Sequence, residues 1–171
     1  MISTGELKNN NDTFRYIFVD LQNFIYYLYK NKNIEKGLQK LWNEYDKSSN
    51  VLLHIYRALS KEDKIYFFIL HNKTDVISFA RIVKHINNPL EYICTLKNVL
   101  VNKLYRGRKI CQKTVSILIH LVEDNSIANI IKLYVSKDNE SAIRCYKNND
   151  FKIIDERKFV DIDRYKMELR L

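Results

Sequence analysis

Only 3 glycines and 1 proline occur among 171 residues. No stretch is rich enough in either to act as a linker, and no repeat or low-complexity tract divides the chain. A single domain is therefore expected over residues 14–171. Cysteine is scarce as well. Cys94, Cys111 and Cys145 are odd in number and lack metal-ligand spacing, so no metal is expected and the thiols are expected to be reduced. The four histidines, His54, His71, His85 and His120, are scattered and form no ligand pair. No basic start leads into an apolar leader segment, and no apolar run is long enough to cross a bilayer. A cytoplasmic protein without a membrane partner is the expectation.

Apolar residues, by contrast, are plentiful. They make up 46% of the chain, and 12 Tyr and 8 Phe supply most of its aromatics, enough to fill a core of strands and packed helix faces. The first 13 residues are polar and Asn-rich and read as a flexible tail. The net charge of +9 favours an anionic partner. Nucleic acid, a membrane surface and a phosphorylated small molecule all qualify. Richness in Ile, Lys and Asn also marks proteins of AT-rich genomes, so charge alone decides nothing. Basic and aromatic residues do not alternate along a strand pair and no recognition-helix pattern is present, which disfavours nucleic acid.

Periodicity gives a coarse order of elements. A strand is expected over Phe14–Asp20, then helices over Gln22–Tyr29, Ile34–Tyr45 and Asn50–Leu59. Ile65–Leu70 and Val76–Val83 read as a hairpin around His71–Asp75, followed by a strand over Glu91–Val101. A helix over Arg108–Glu123 turns Cys111, Val115, Leu118 and Val122 inward. Strand Ile130–Val135, helix Asn139–Lys147 and strands Phe151–Phe159 and Arg164–Leu171 close the chain. That order predicts an α/β fold with a mixed, mostly antiparallel sheet flanked by helices, not a regular βαβ repeat.

Two stretches carry chemistry. Asn98–Cys111 reads N-V-L-V-N-K-L-Y-R-G-R-K-I-C, a strand running through a basic turn into a helix. A helix start presents unpaired N–H groups and partial positive charge, which suits phosphate. Gly107, a scarce residue, sits in that turn among Lys103, Arg106, Arg108, Lys109 and Lys113. An ordinary strand-to-helix turn with a solvated basic rim explains this stretch equally well. The second stretch, Leu133–Phe151, reads L-Y-V-S-K-D-N-E-S-A-I-R-C-Y-K-N-N-D-F.

Together the two stretches resemble the GNAT acetyltransferase family. In that family R-G-x-G-x-G/A opens a helix and L-x-V-x-x-x-N-x-x-A-x-x-x-Y-x-x-x-G-F follows. Val99, Val101, Tyr105, Arg106, Gly107 and Ile110 match the first pattern. Leu133, Val135, Asn139, Ala142, Ile143, Tyr146 and Phe151 match the second. The departures are Lys109 and Cys111 at the second and third small positions, and Asp150 before the closing Phe. The resemblance covers roughly Ile65–Leu171 and implies a GNAT fold whose splayed central strand pair holds the arm of acetyl-CoA as co-substrate. It implies that N–H groups of Arg106, Gly107, Arg108, Lys109, Ile110 and Cys111 cradle the pyrophosphate. It likewise implies that Val99, Leu100 and Val101 meet the pantetheine arm, one of their N–H groups polarising the thioester carbonyl. Asn139 would contact the cofactor arm or cap a helix, and Tyr146 would protonate the leaving thiolate. A core tyrosine packed on Phe151 and Val135 is the competing reading of Tyr146.

The general base is not visible. Thr95, Lys97 and Asn98 occupy the positions where many relatives carry a carboxylate, and Glu91, His85 and Asp155 are candidates only because they titrate. The acceptor is expected to be a primary amine on a small molecule or a peptide. A partial likeness to the glucosamine-6-phosphate branch, in R-G-R-K-I-C, points to a phosphorylated amino sugar. Protein or peptide acetylation, an inactive CoA-binding relative and a basic nucleic-acid-binding module are the alternatives, and a homodimer is left open.

Overall fold

The computed structural model describes residues 2–9, 12–47, 50–52, 55, 64–85 and 92–171. The elements are strands β1 (Ile2–Asn9) and β2 (Asp12–Asp20), helices α1 (Leu21–Lys30) and α2 (Lys32–Asn43), and strands β3 (Lys64–His71), β4 (Val76–Lys84) and β5 (Ile93–Val101). Helix α3 (Ile110–Asp124), strand β6 (Ile130–Ser136), helix α4 (Glu140–Lys147) and strands β7 (Lys152–Phe159) and β8 (Ile162–Arg170) complete them. The helix expected over Asn50–Leu59 falls largely outside the described residues. Within it Val51, Leu52 and Ile55 are helical, and Val51 and Ile55 are buried.

The eight strands form one sheet in the order β1-β2-β3-β4-β5-β6-β8-β7. Every pairing is antiparallel except β5 with β6. This is the mixed, mostly antiparallel α/β sheet expected from the sequence. Its central strands are apolar almost throughout because helices cover both faces. Under α1 and α2 lies one core, with Phe24, Trp42, Phe67 and Phe79 at its centre and the Phe24 and Phe67 rings stacked at 4.2 Å. Under α3 and α4 lies the other, with Phe68, Val115, Leu118, Leu133 and Met167. The two faces thus carry different helices, and a ligand reaching both must pass between strands.

Two expectations need correction. Ile2–Asn9, read as part of a flexible tail, is an edge strand paired along its length with β2. Its polar composition hid a period of two. Ser3, Gly5, Leu7 and Asn9 turn toward the protein while Thr4, Glu6 and Lys8 face solvent. Gly5 is required there because a Cβ would come within 2.5 Å of the Tyr16 ring. The thiols also differ from expectation. Cys111 and Cys145 form a disulfide across 34 residues with Cα atoms 6.2 Å apart, and Cys94 is free and buried. The bond exists because α3 and α4 lie side by side on one sheet face, which their sequence separation does not reveal.

The disulfide restricts the unfolded chain by a loop of some length. Replacing Cys111 and Cys145 together by Ala is expected to lower the unfolding free energy by about 2–4 kcal/mol. Chemical denaturation measures this, and an unchanged midpoint would show that the bond adds nothing.

Candidate active site

Strands β5 and β6 pair only over Ile93–Thr95 and Ile130–Lys132. Beyond Thr95 the strands part. β6 continues with β8, and β5 continues with β4. The edge of β5 from Leu96 to Val101 therefore has no β6 ladder to satisfy it, and buried backbone groups require partners. Some are found locally. Val101 offers its carbonyl to Arg106 Nε at 3.0 Å, whereas Leu100 turns its carbonyl to the other edge, where it accepts from Ser78 Oγ of β4 at 2.8 Å, so Leu100 does not belong to the free edge.

A bulge lies at the same point. Arg81 pairs with Lys97 and Phe79 with Leu100, so Ala80 on β4 faces two residues, Asn98 and Val99, on β5. Asn98 takes φ of 52°, the left-handed conformation that this kind of bulge requires. Asn supplies it where Gly is the usual residue. Its side-chain Oδ1 is buried without a hydrogen-bond partner. The bulge re-aims the backbone of Val99 at the mouth of the opening.

From Val101 the chain enters the basic turn. Asn102 anchors it, being nearly fully buried, with its N–H on the Ile77 carbonyl at 2.9 Å and its side-chain amide on the Val76 carbonyl at 3.2 Å. A short 3-10 turn spans Lys103–Tyr105. Gly107 follows at φ of 76°, with no atom within 4 Å of where a Cβ would stand. Crowding inside the protein is therefore not what a side chain there would cause; the cost would be backbone strain. Lys109 is also left-handed, at φ of 58°, and as N-cap of α3 contributes no side-chain hydrogen bond. The first N–H groups of α3, at Ile110, Cys111 and Gln112, are left with the dipole's positive end and no intrahelical partner.

The first hairpin braces this turn from outside. Asn9 donates from Nδ2 to the Arg108 carbonyl at 3.5 Å and accepts from Lys113 Nζ at 2.7 Å. Arg108 lies over the Tyr105 ring at 5.4 Å and 3.6 Å from Asp12, and Tyr105 meets Phe14 edge-on.

Across the opening, α4 supplies Asn139 and Tyr146. The Asn139 side chain caps the helix, accepting from the Ala142 N–H at 3.1 Å. The cap occupies its Oδ1 and leaves its NH2 without a partner among the described residues. Tyr146 is 8% exposed and packs edge-on against Phe151 at 5.9 Å. Burial pushes its phenol up to about 12, so the group stays protonated and can act only as a proton donor near neutrality. The disulfide joins its neighbour Cys145 to the first turn of α3. Asp150 takes φ of 64°, filling the left-handed role expected of it before Phe151.

The candidate bases fare differently. Glu91 lies outside the described residues. Asp155 sits on exposed β7, where its bond from Arg157 Nε at 2.8 Å holds its carboxyl below the ordinary range. His85 bonds through Nε2 to Thr95 Oγ1 at 2.7 Å, and Thr95 is the last β5 residue paired with β6. The sequence reading missed Arg81 and Asn98. The available signal was an arginine inside the otherwise apolar run V-I-S-F-A-R-I-V. Among the described residues no group of three His, Cys, Asp or Glu could hold a metal ion, and no helix is long and apolar enough to cross a membrane.

The family model for the Acetyltransferase (GNAT) family matches residues 25–151. No curated protein matches the sequence. Solved structures share the fold at low identity. The NatC complex bound to Gag peptide and CoA aligns with TM-score 0.66 at 19% identity over 91% of this chain and 98% of that one. Ribosomal-protein-alanine N-acetyltransferase from Brucella melitensis aligns with 0.60 at 15% identity over 80% and 94%. An aminoglycoside acetyltransferase in complex with coenzyme A and kanamycin aligns with 0.59 at 16% identity over 99% and 95%.

Gly107→Val is expected to weaken CoA binding by about tenfold, since a branched residue in the left-handed region costs about 1–2 kcal/mol. Calorimetric titration with CoA checks this. Affinity equal to the parent would place the phosphates elsewhere.

Proposed function

The chain belongs to the acetyltransferase (GNAT) family, and from that premise we propose that it transfers the acetyl group of acetyl-CoA directly to a primary amine. One observation carries the reading. The parting of β5 from β6 after Thr95 leaves an open strand edge beside an uncapped helix start, and Tyr146 of α4 packs into the core on that same sheet face.

Acetyl-CoA supplies an activated acetyl thioester. The N–H groups from Gly107 to Cys111 hold its pyrophosphate, using the dipole of α3 and the two left-handed residues that aim them, while the Arg106 N–H stays on the Lys103 carbonyl. Val99 and Val101 present the free edge of β5 to the amides of the pantetheine arm, and the Asn139 NH2 donates from the other side. A backbone N–H at the bulge polarises the thioester carbonyl and stabilises the negative charge that develops on its oxygen. The bulge fixes that donor before reaction, so little reorganisation is needed. Attack by the amine nitrogen forms the new C–N bond as the C–S bond breaks. Tyr146 donates its proton to the departing sulfur. His85, hydrogen-bonded to Thr95 where β5 and β6 last pair, is our candidate acceptor for the proton the amine loses.

A phosphorylated amino sugar such as glucosamine 6-phosphate is the acceptor we favour, supported by the net charge of +9 and the likeness of R-G-R-K-I-C to that branch's cofactor turn. A peptide amine is the second reading. It is favoured by the β7–β8 hairpin tip, where Phe159, Val160 and Ile162 are 63%, 77% and 46% exposed. CoA release from purified protein with glucosamine 6-phosphate, glucosamine, spermidine and several peptides separates the readings.

Tyr146→Phe is expected to lower kcat by about a hundredfold while leaving acetyl-CoA affinity unchanged. Steady-state kinetics with a calorimetric titration tests both halves. Undiminished turnover would remove Tyr146 from the mechanism.

A further inference from the structure

The slot opens onto both faces of the sheet. The cofactor turn and Tyr146 belong to the α3–α4 face. The acceptor must come from the other side, under α1 and α2, where no cofactor element lies. Two cations stand there at the level of the opening. Along β4, Phe79 and Val83 turn toward the α1–α2 core and Ala80 and Ile82 toward the other. Arg81 therefore faces α1–α2. Its direct partner across the ladder is Lys97, two residues beyond the last β5–β6 pair, and directly opposed residues share a face.

Arg81 is half-buried. Its Nε is buried with no hydrogen-bond partner, and no carboxylate pairs with it among the described residues. Burial works against its charge, opposed only by the nearby Tyr45 phenol at the end of α2. Glu44, at that end of α2, is engaged elsewhere. It bonds the Lys103 N–H at 3.1 Å and lies 3.5 Å from Arg106. A desolvated guanidinium without a counter-charge gains most from an anion that arrives with a ligand. Its planar fork suits the oxygens of a phosphate or carboxylate.

We propose that Arg81 is the acceptor's anion-binding element, so that the enzyme selects amines carrying a phosphate or carboxylate. The inference rests on the acetyl-transfer reading and deepens it by naming the substrate class and the residue that reads it. The anion anchors the acceptor on the α1–α2 face while its amine reaches through the opening toward the thioester. Cationic acceptors are turned away by the same guanidinium. Asn98 Oδ1, buried and unpartnered beside Lys97, is placed to accept a hydrogen bond from the incoming amine.

The experiment uses the full chain with CoA bound and titrates four amines by calorimetry: glucosamine 6-phosphate, glucosamine, glycine and spermidine. Parent, Arg81→Gln and Arg81→Lys proteins are compared. Acetyl-CoA is titrated separately into each variant, so a failed cofactor site is seen apart from a failed acceptor site. The expected result is that the parent binds an anion-bearing amine at least tenfold more tightly than glucosamine or spermidine. Arg81→Gln abolishes that preference, Arg81→Lys restores part of it, and acetyl-CoA affinity is equal in all three. The phosphate and carboxylate arms show which anion is read. Three outcomes overturn the proposal. The parent binds no anion-bearing amine, or it shows no preference for one, or the preference survives in Arg81→Gln. Loss of acetyl-CoA binding by the parent itself would overturn the transferase reading and the proposal with it.

Discussion

A strand that leaves its neighbour must find other partners for its peptide groups. Everything at this site follows from that demand on β5 after Thr95. On one edge β5 stays with β4, but only by way of a bulge at Asn98 and Val99 that lets the two strands keep register while β5 bends. On the other edge its groups face an opening. Arg106 takes one carbonyl of this edge, and an extended ligand with its own amides is the natural partner for the rest. The slot, the turn that follows it and the donors around it are consequences of one parted strand pair.

The surroundings hold that geometry in place. Left-handed residues at Asn98, Gly107 and Lys109 sit in the parted strand and the turn that follows it, and the two that carry side chains cost stability where they stand. They persist because packing over-determines them. Asn102 pins the turn to β4, Asn9 ties it to the first strand, and Cys111–Cys145 joins the two helices that flank it. The site is rigid where donors must be aimed in advance. Arg81 keeps its Nε buried without a hydrogen-bond partner, on the side where the proposed acceptor enters.

Most of the fold was legible because its signals are local. Apolar runs marked β3, β4 and β6, and the helical period marked α2 and α3. What stayed hidden depends on pairings far apart in the chain. Ile2–Asn9 looked like a tail because its alternation is built from small and polar residues, which count as strand only when β2 lies alongside. Cys111 and Cys145 are inconspicuous until α3 and α4 are set side by side. Asn98 gives no sign of a bulge from its own identity. The role of Arg81 needed two facts together: its face and its buried, unpartnered Nε. Asn139 was read as cap or cofactor contact, and the geometry makes it a cap while sparing its NH2 for the other task.

The state of the three cysteines has a practical side. Two sulfurs are bonded to each other, and Cys94 is wholly buried with its thiol pushed up to about 12. The folded chain therefore presents no nucleophilic sulfur to solvent near neutral pH. A colorimetric thiol reagent added to a reaction would register only the sulfur liberated from coenzyme A, with almost no blank from the enzyme. The same silence makes the protein a clean host for site-directed spin or fluorescent labels. One introduced surface cysteine would be the sole position to react.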